Sequence, residues 1–331
     1  MKIIISLCFF ILVISSCNND KNKVERQKVH LEIIHPDLEI QFPGQLVAEN
    51  NCLLLFDPFA SSNNIKILDK LTGEKKFEFL DTGNGPKEFV TPWCGYSAND
   101  TLTIIDLNAQ KKVEFDVNDL CMGVINVEPI SFPHNNAIQL ARIGINKYIA
   151  GTFEDEYPFC LIKDNKVVHK FGRYPISTKI ANTFDAFQGT ILFNEERGLI
   201  GYATFSTPYL ALYKLEEENP NLLWESEFAP MRYTISDQQL NWDNDQPVGI
   251  HEFAFTKDYI ACLVKEMELR NSAGRSEEQM PQTIYLYNYD GILIKILELD
   301  YPSIRLCSDA SSNDIYLISL NQEYCLSKIE L

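Results

Sequence analysis

Six segments of the chain read as one strand written six times: LLLFDPF from Leu53, LTIIDLN from Leu102, YIAGTFE from Tyr148, LIGYATF from Leu199, YIACLVK from Tyr259 and IYLISLN from Ile315. Their starts lie roughly 45 to 60 residues apart. Around each, the pattern is a strand, a tight turn, this stronger strand, a loop, a third strand, a turn and an outer fourth strand. That period is the scale of one four-stranded propeller blade, and it predicts an all-β fold, a six-bladed β-propeller of four-stranded blades. The turns agree with it. LTG within NIKILDKLTGEKKFEF and YDG within TIYLYNYDGILIKILEL each join two β-rich runs, as a third-to-fourth strand hairpin would. The last unit, from Ile304, ends one strand short. The segment Val29–Ile34 precedes the first unit without a partner, and is expected to supply the missing strand and close the ring.

The 331 residues carry 46 acidic against 29 basic side chains, a net charge of -17. Such a field repels a phosphodiester backbone, and no basic cluster is long enough to overcome it, so nucleic acid is not an expected partner.

The N-terminus, MKIIISLCFFILVISSCNND, sets Lys2 before an apolar run too short to span a bilayer, which is the form of an export signal. The run ends in Ile14-Ser15-Ser16-Cys17, which resembles the bacterial lipobox, where the cysteine is lipidated and cleavage falls just before it. The reading divides the chain into a signal peptide (1–16), a lipidated polar tether (17–28) and the propeller (29–331), the last expected as a monomer. Asn18 is not the aspartate of the enterobacterial inner-membrane retention rule, so an outer-membrane location is favoured, with the leaflet open. Setting aside Cys8 and Cys17, seven of the nine cysteines remain. Cys52, Cys160, Cys262, Cys307 and Cys325 lie in or beside apolar runs and are expected as mostly free, buried core residues.

The stretch DTGNGPKEF, Asp81 to Phe89, invites a phosphate-cradle reading. A dinucleotide loop needs a third glycine opening a helix, whereas here Pro86 removes an amide and strand-like sequence follows; Lys87 is not placed as a P-loop lysine either. An interblade turn is expected. The motif Gly83-x-Gly85-Pro86-x-Glu88-Phe89 resembles the G-x-G-P-x-E-[FY] signature that ends the first blade in the TolB-like six-bladed β-propeller family of Bacteroides-type lipoproteins. GIHEFAFTKDYIACLV and IYLYNYDGILIKILELDYPSIRLC are similar to later blades of that family. The resemblance covers nearly all of the mature chain and implies the fold. It brings no catalytic residues, since most members have no assigned activity.

In a propeller, second-to-third strand loops and interblade connections emerge on one face. The first set is expected to display Asp57, Asp106, Glu154, Asp155, Tyr157, Glu266 and Glu268, and the second Trp93, His134, Arg173, Tyr174, Arg232, Tyr233 and Trp242. Aromatics beside carboxylates and arginines suit a polar ligand, a glycan, peptide or protein. Two function classes follow. One is a membrane-anchored, non-enzymatic binding scaffold without a cofactor. The other is a calcium-dependent hydrolase resembling the sugar-lactone and ester-cleaving propellers, in which inward carboxylates and asparagines hold calcium; Asp57, Asp106 and Glu154 make that arithmetically possible, but no motif fixes three ligands in one place. NWDNDQPVG lacks calcium-loop spacing, the histidines are scattered, and no G-x-S-x-G elbow is present. The scaffold reading is preferred.

Overall fold

In a computed structural model, residues 24–132, 137–153, 156–268, 271 and 279–331 are described. The signal peptide, Cys17 and the first part of the tether lie outside them, as do His134, Glu154, Asp155 and residues 272–278 of the polar insertion that begins at Ser272.

Two N-terminal strands, β1 (Glu25–Val29) and β2 (Glu32–His35), precede the first blade. Blade one is β3–β6 (Leu46–Glu49, Cys52–Phe56, Asn63–Asp69, Lys75–Asp81) and blade two β7–β10 (Trp93–Ala98, Thr101–Asp106, Lys111–Asp116, Ile130–Ser131), with helix α1 (Val117–Cys121) before its last strand. Blade three is β11–β14 (Gln139–Gly144, Lys147–Gly151, Phe159–Lys163, Lys166–Phe171); helix α2 (Thr183–Phe187) leads to blade four, β15–β18 (Gly189–Asn194, Leu199–Thr204, Tyr209–Glu216, Asn219–Glu227). A separate hairpin, β19–β20 (Tyr233–Ser236, Gln239–Trp242), comes before blade five, β21–β24 (Ile250–Phe255, Ile260–Val264, Thr283–Tyr287, Leu293–Leu299). Blade six holds β25–β27 (Ser303–Cys307, Asp314–Asn321, Glu323–Glu330) and takes β2 as its fourth strand, antiparallel to β27. The six repeated segments are therefore the second strands of six consecutive blades.

Those second strands are almost wholly buried: every residue of Cys52–Phe56, Leu199–Thr204 and Ile260–Val264 is. Each is flanked within its sheet and covered on both faces by neighbouring blades, so its sequence is continuously apolar rather than alternating. Outer strands such as Lys166–Phe171 and Asn219–Glu227 face solvent along most of their length and are correspondingly polar. Six hydrophobic clusters fill the six blade-to-blade interfaces. The one that joins the ends packs Leu46, Leu53 and Leu55 of blade one against Tyr316, Ile318 and Leu326 of blade six.

Three expectations change. The closing strand begins at Glu32 rather than Val29, because Val29 ends β1. Residues from Glu25 on are not tether: β1 runs parallel to β24 as a fifth strand of blade five, and Arg26 holds it there through Glu266 (2.6 Å) and Glu298 (3.3 Å). Cys52 is not free. It forms a disulfide with Cys121 at the end of α1, tying blade one to blade two across 69 residues of sequence. Cys94, Cys160, Cys262, Cys307 and Cys325 are free and buried. Among the described residues, no helix is long and apolar enough to cross a membrane.

A cross-link closing a loop of that length removes about 4 kcal/mol of unfolded-chain freedom. Cys52→Ser is expected to lower the unfolding free energy by about 2–4 kcal/mol, read from the urea midpoint, and the reductant-treated native chain should show the same loss.

Candidate functional site

The Gly-rich turn is filled by the protein itself. The Glu88 carboxylate folds back and accepts the Gly85 N–H at 2.7 Å. Gly83 sits at φ 153°, and a Cβ there would come within 2.1 Å of the same carboxylate oxygen. Phe89 is fully buried, its N–H bonds the Asp81 carbonyl at 2.8 Å, and Lys111 caps the turn over the Phe89 ring at 4.7 Å. An internal carboxylate thus occupies the place a phosphate would need, and the motif ends a blade.

Several loop residues expected on the ligand face also have structural duties. Asp106 is fully buried and accepts the N–H groups of Val90 (2.8 Å), Thr91 (3.3 Å) and Ala109 (2.9 Å). Asp57 is buried, 3.5 Å from Lys66, and accepts the Phe59 N–H at 3.3 Å. Arg173 is paired with Glu225, Arg232 with Asp245, and Glu266 with Arg26 while accepting the Tyr285 hydroxyl at 2.5 Å. Glu268 bridges to Pro247 through the backbone. Tyr174 packs on Phe187 (5.1 Å between centroids), and Trp242 meets Tyr233 edge-on at 5.9 Å. The β19–β20 hairpin that carries both is held down by Asn182, whose side chain donates to the Leu240 carbonyl and accepts its N–H, each at 2.9 Å. Trp93 (37% exposed), Tyr157 (39%), Tyr233 (37%) and also Phe59 (60%) keep accessible ring surface.

The blades surround a central channel of about 990 Å³, which, of the described residues expected on the ligand face, only Trp93 lines. Five inner strands line it, β3, β7, β15, β21 and β25; the third blade's β11 packs between β7 and β15 instead. Trp93, Phe42, His251, Lys265 and Arg305 line the stretch toward the interblade connections, and Glu49, Ser97, Glu195 and Asp309 the stretch toward the first-to-second strand turns.

The channel holds ionisable groups that the loop-based reading missed. Glu252 accepts the Leu306 N–H at 2.6 Å and lies 3.4 Å from Arg305. Arg305 also donates to the carbonyls of Pro43 (3.1 Å), Gly44 and Ile304 (3.1 Å). His251 Nε2 donates to the Ile304 carbonyl at 3.0 Å. Burial pushes the Glu252 carboxyl up to about 7, against the pull of Arg305. Burial likewise pushes Glu49 up to about 7, although Ser97 donates to it and Lys70 is nearby. Burial and Arg305 together push the His251 imidazole down to about 4. Tyr96 lies in left-handed backbone at φ 61°, at a bulge in β7 between Cys94 and Ser97. The bulge brings its ring against three of the six interface clusters, and Gln45 Nε2 donates to its hydroxyl at 3.4 Å. The available sequence signal was a charged residue closing or interrupting an apolar inner strand, as in QLVAE and GIHEFAF.

Of the carboxylates a calcium site would draw on, Asp57 and Asp106 are engaged as above and Glu154 lies outside the described residues. Among the described residues, no group of three or more His, Cys, Asp or Glu side chains is arranged to hold a metal ion.

No family model matches the chain, and no curated protein matches it in sequence. Among solved structures, a DUF4221 family member from Bacteroides vulgatus superposes with a TM-score of 0.56 at 9% identity, covering 92% of this chain and 96% of that one. The Cps50 (Swd1) β-propeller domain of Myceliophteria thermophila gives 0.46 at 10% identity (90% and 99% covered), and BamB from Moraxella catarrhalis 0.39 at 11% (87% and 85%). The first likeness supports the fold alone.

Two outcomes are expected. Between the ordinary carboxyl value of 4.5 and about 7, Glu49 and Glu252 hold protons in the folded chain that the unfolded chain has released. Between about 4 and 6.5, His251 lacks a proton that the unfolded chain takes up. Two groups outweigh one, so unfolding free energy should fall between about pH 5 and about pH 7.5, and Glu252→Gln should flatten that fall; a rise in the wild type would contradict the assignment. Separately, Gly83→Ala should cost about 1–2 kcal/mol through its backbone conformation and its collision with Glu88, read by thermal denaturation.

Proposed function

We propose that this chain is an exported, lipid-anchored propeller of the cell envelope that works as a non-enzymatic binding scaffold, as its resemblance to the TolB-like lipoproteins implies. Cys17 is the anchor, residues 18–24 the remaining tether, and the outer membrane the favoured site. The Cys52–Cys121 disulfide supports an oxidising compartment. What supports binding is the set of accessible rings on the loops of the expected ligand face, Phe59, Trp93, Tyr157 and Tyr233, carried on a rigid ring of blades, with Trp93 also lining the channel. Large rings on a stiff scaffold contribute contact area at small entropic cost. The salt-bridged Arg173 and Arg232 frame this surface rather than supply free charge. A hydrolase reading would need ligands other than Asp57 and Asp106, whose oxygens already serve turns and an ion pair.

Cys17→Ser should move the protein from the membrane to the soluble fraction; retention in the membrane would contradict the anchor. In native envelopes, chemical cross-linking of the wild type should trap a partner whose yield drops at least about tenfold in a Trp93→Ala/Tyr157→Ala variant of unchanged thermal stability, and an unchanged yield would argue against the face.

A further inference from the structure

The channel is charged asymmetrically. Glu49, Glu195, Glu196, Glu252 and Asp309 line it against only Lys265 and Arg305. Most of its acids are already engaged. Glu252 faces Arg305, Asp309 is paired with Lys70, and Glu195 receives the Asn99 backbone N–H (2.8 Å) and side-chain amide (2.7 Å). Glu49 lies at the end of β3 in the channel wall, and no cation stands within ion-pair distance of it among the described residues. The charged groups that face it are Lys70 and Asp309, which neutralise each other. The thiols of Cys94 and Cys307 are also near, and burial pushes both far above the usual range, so they stay uncharged. Around Glu49 the wall includes the part-buried rings of Tyr96 and Phe193, whereas Trp93 stands toward the opposite mouth. A half-buried carboxyl in the channel wall, with the Ser97 hydroxyl as its donor and no counter-cation, beside part-buried aromatic rings in a cavity of small-molecule size, is an environment suited to an ammonium group on an apolar body.

We propose that the channel binds a small organic cation, with its ammonium at Glu49 and its apolar body against Tyr96 and the neighbouring aromatic wall. This goes beyond the rim-binding reading, which concerns the outer face and stands or falls separately. The overall negative charge favours entry of such a ligand. Binding draws a proton off Glu49, because the carboxyl raised by burial ionises once a cation neutralises it.

Calorimetric titration of the lipid-free mature chain with phenethylammonium tests this, with phenethyl alcohol as the neutral match and phenylpropionate as the anionic one. The ammonium should bind at least about tenfold more tightly than either control, and Glu49→Gln should erase that preference while leaving the alcohol's affinity unchanged. Ammonium affinity should also rise several-fold from about pH 6 to about pH 8, with proton release seen as a buffer-dependent enthalpy. Equal affinity for the three probes, a preference that survives Glu49→Gln, or wild-type affinity flat across that range would each overturn the proposal. The wild-type pH series decides the matter if the variant does not fold. Tyr157→Ala alone, at a residue that does not line the channel, reads the rim independently in the cross-linking.

Discussion

The structure depends on one act of closure. A ring of blades is stable only if the last blade buries its face against the first, and here that interface is a full hydrophobic cluster, with Leu53, Leu55, Ile318 and Leu326 all fully buried. Each such side chain contributes about 1.5–3 kcal/mol relative to solvent exposure, so an open ring would forfeit a large part of the fold's margin. The two N-terminal strands enforce the closure. β2 pairs with β27 through Glu32, Ile33 and His35, and β1 continues the clasp onto blade five in parallel register from Glu25–Lys295 to Val29–Leu299. The chain's beginning thus fastens two blades at once, and an edge that would otherwise be open is covered.

Closure also decides where charge is costly. Side chains on inner strands turn into a narrow channel with protein on every other side, so Glu49 and Glu252 lose hydration that a loop carboxylate keeps. Loop carboxylates meet the opposite fate. Asp106, Glu88 and Asp57 sit where the chain reverses, and exposed amides or a lysine claim them. Acidic residues of one type therefore divide by position: those at turns hold the scaffold, and those on inner strands set the electrostatics of the cavity.

The same physics explains what the sequence disclosed. The second strands were legible because burial on both faces leaves a continuous apolar run, and the hairpins because LTG and YDG place glycines, Gly73 and Gly291, where φ is positive. Glu88 and the glycines before it were legible as a turn, since Pro86 and the missing third glycine already argued against an anion loop. β1 was not legible, because ERQKV is a polar strand added to a sheet edge and fixed by Arg26, with no apolar period to reveal it. Nor was the disulfide, whose partners are brought together only when two blades pack. The channel groups were missed because topology alone points to loops. His251 and Glu252 sit in an otherwise apolar inner strand, and the Tyr96 bulge has no signal beyond the adjacent Gly95.

The most direct test of the closed ring is native-state hydrogen exchange at the clasp. The account predicts that amides of Ile33 in β2 and of its neighbours in β27 exchange only through global unfolding, with the same free energy as amides of the buried strand Leu199–Thr204 on the far side of the ring. Exchange of the β2 amides through low-energy local opening, while Leu199–Thr204 stays protected, would contradict it.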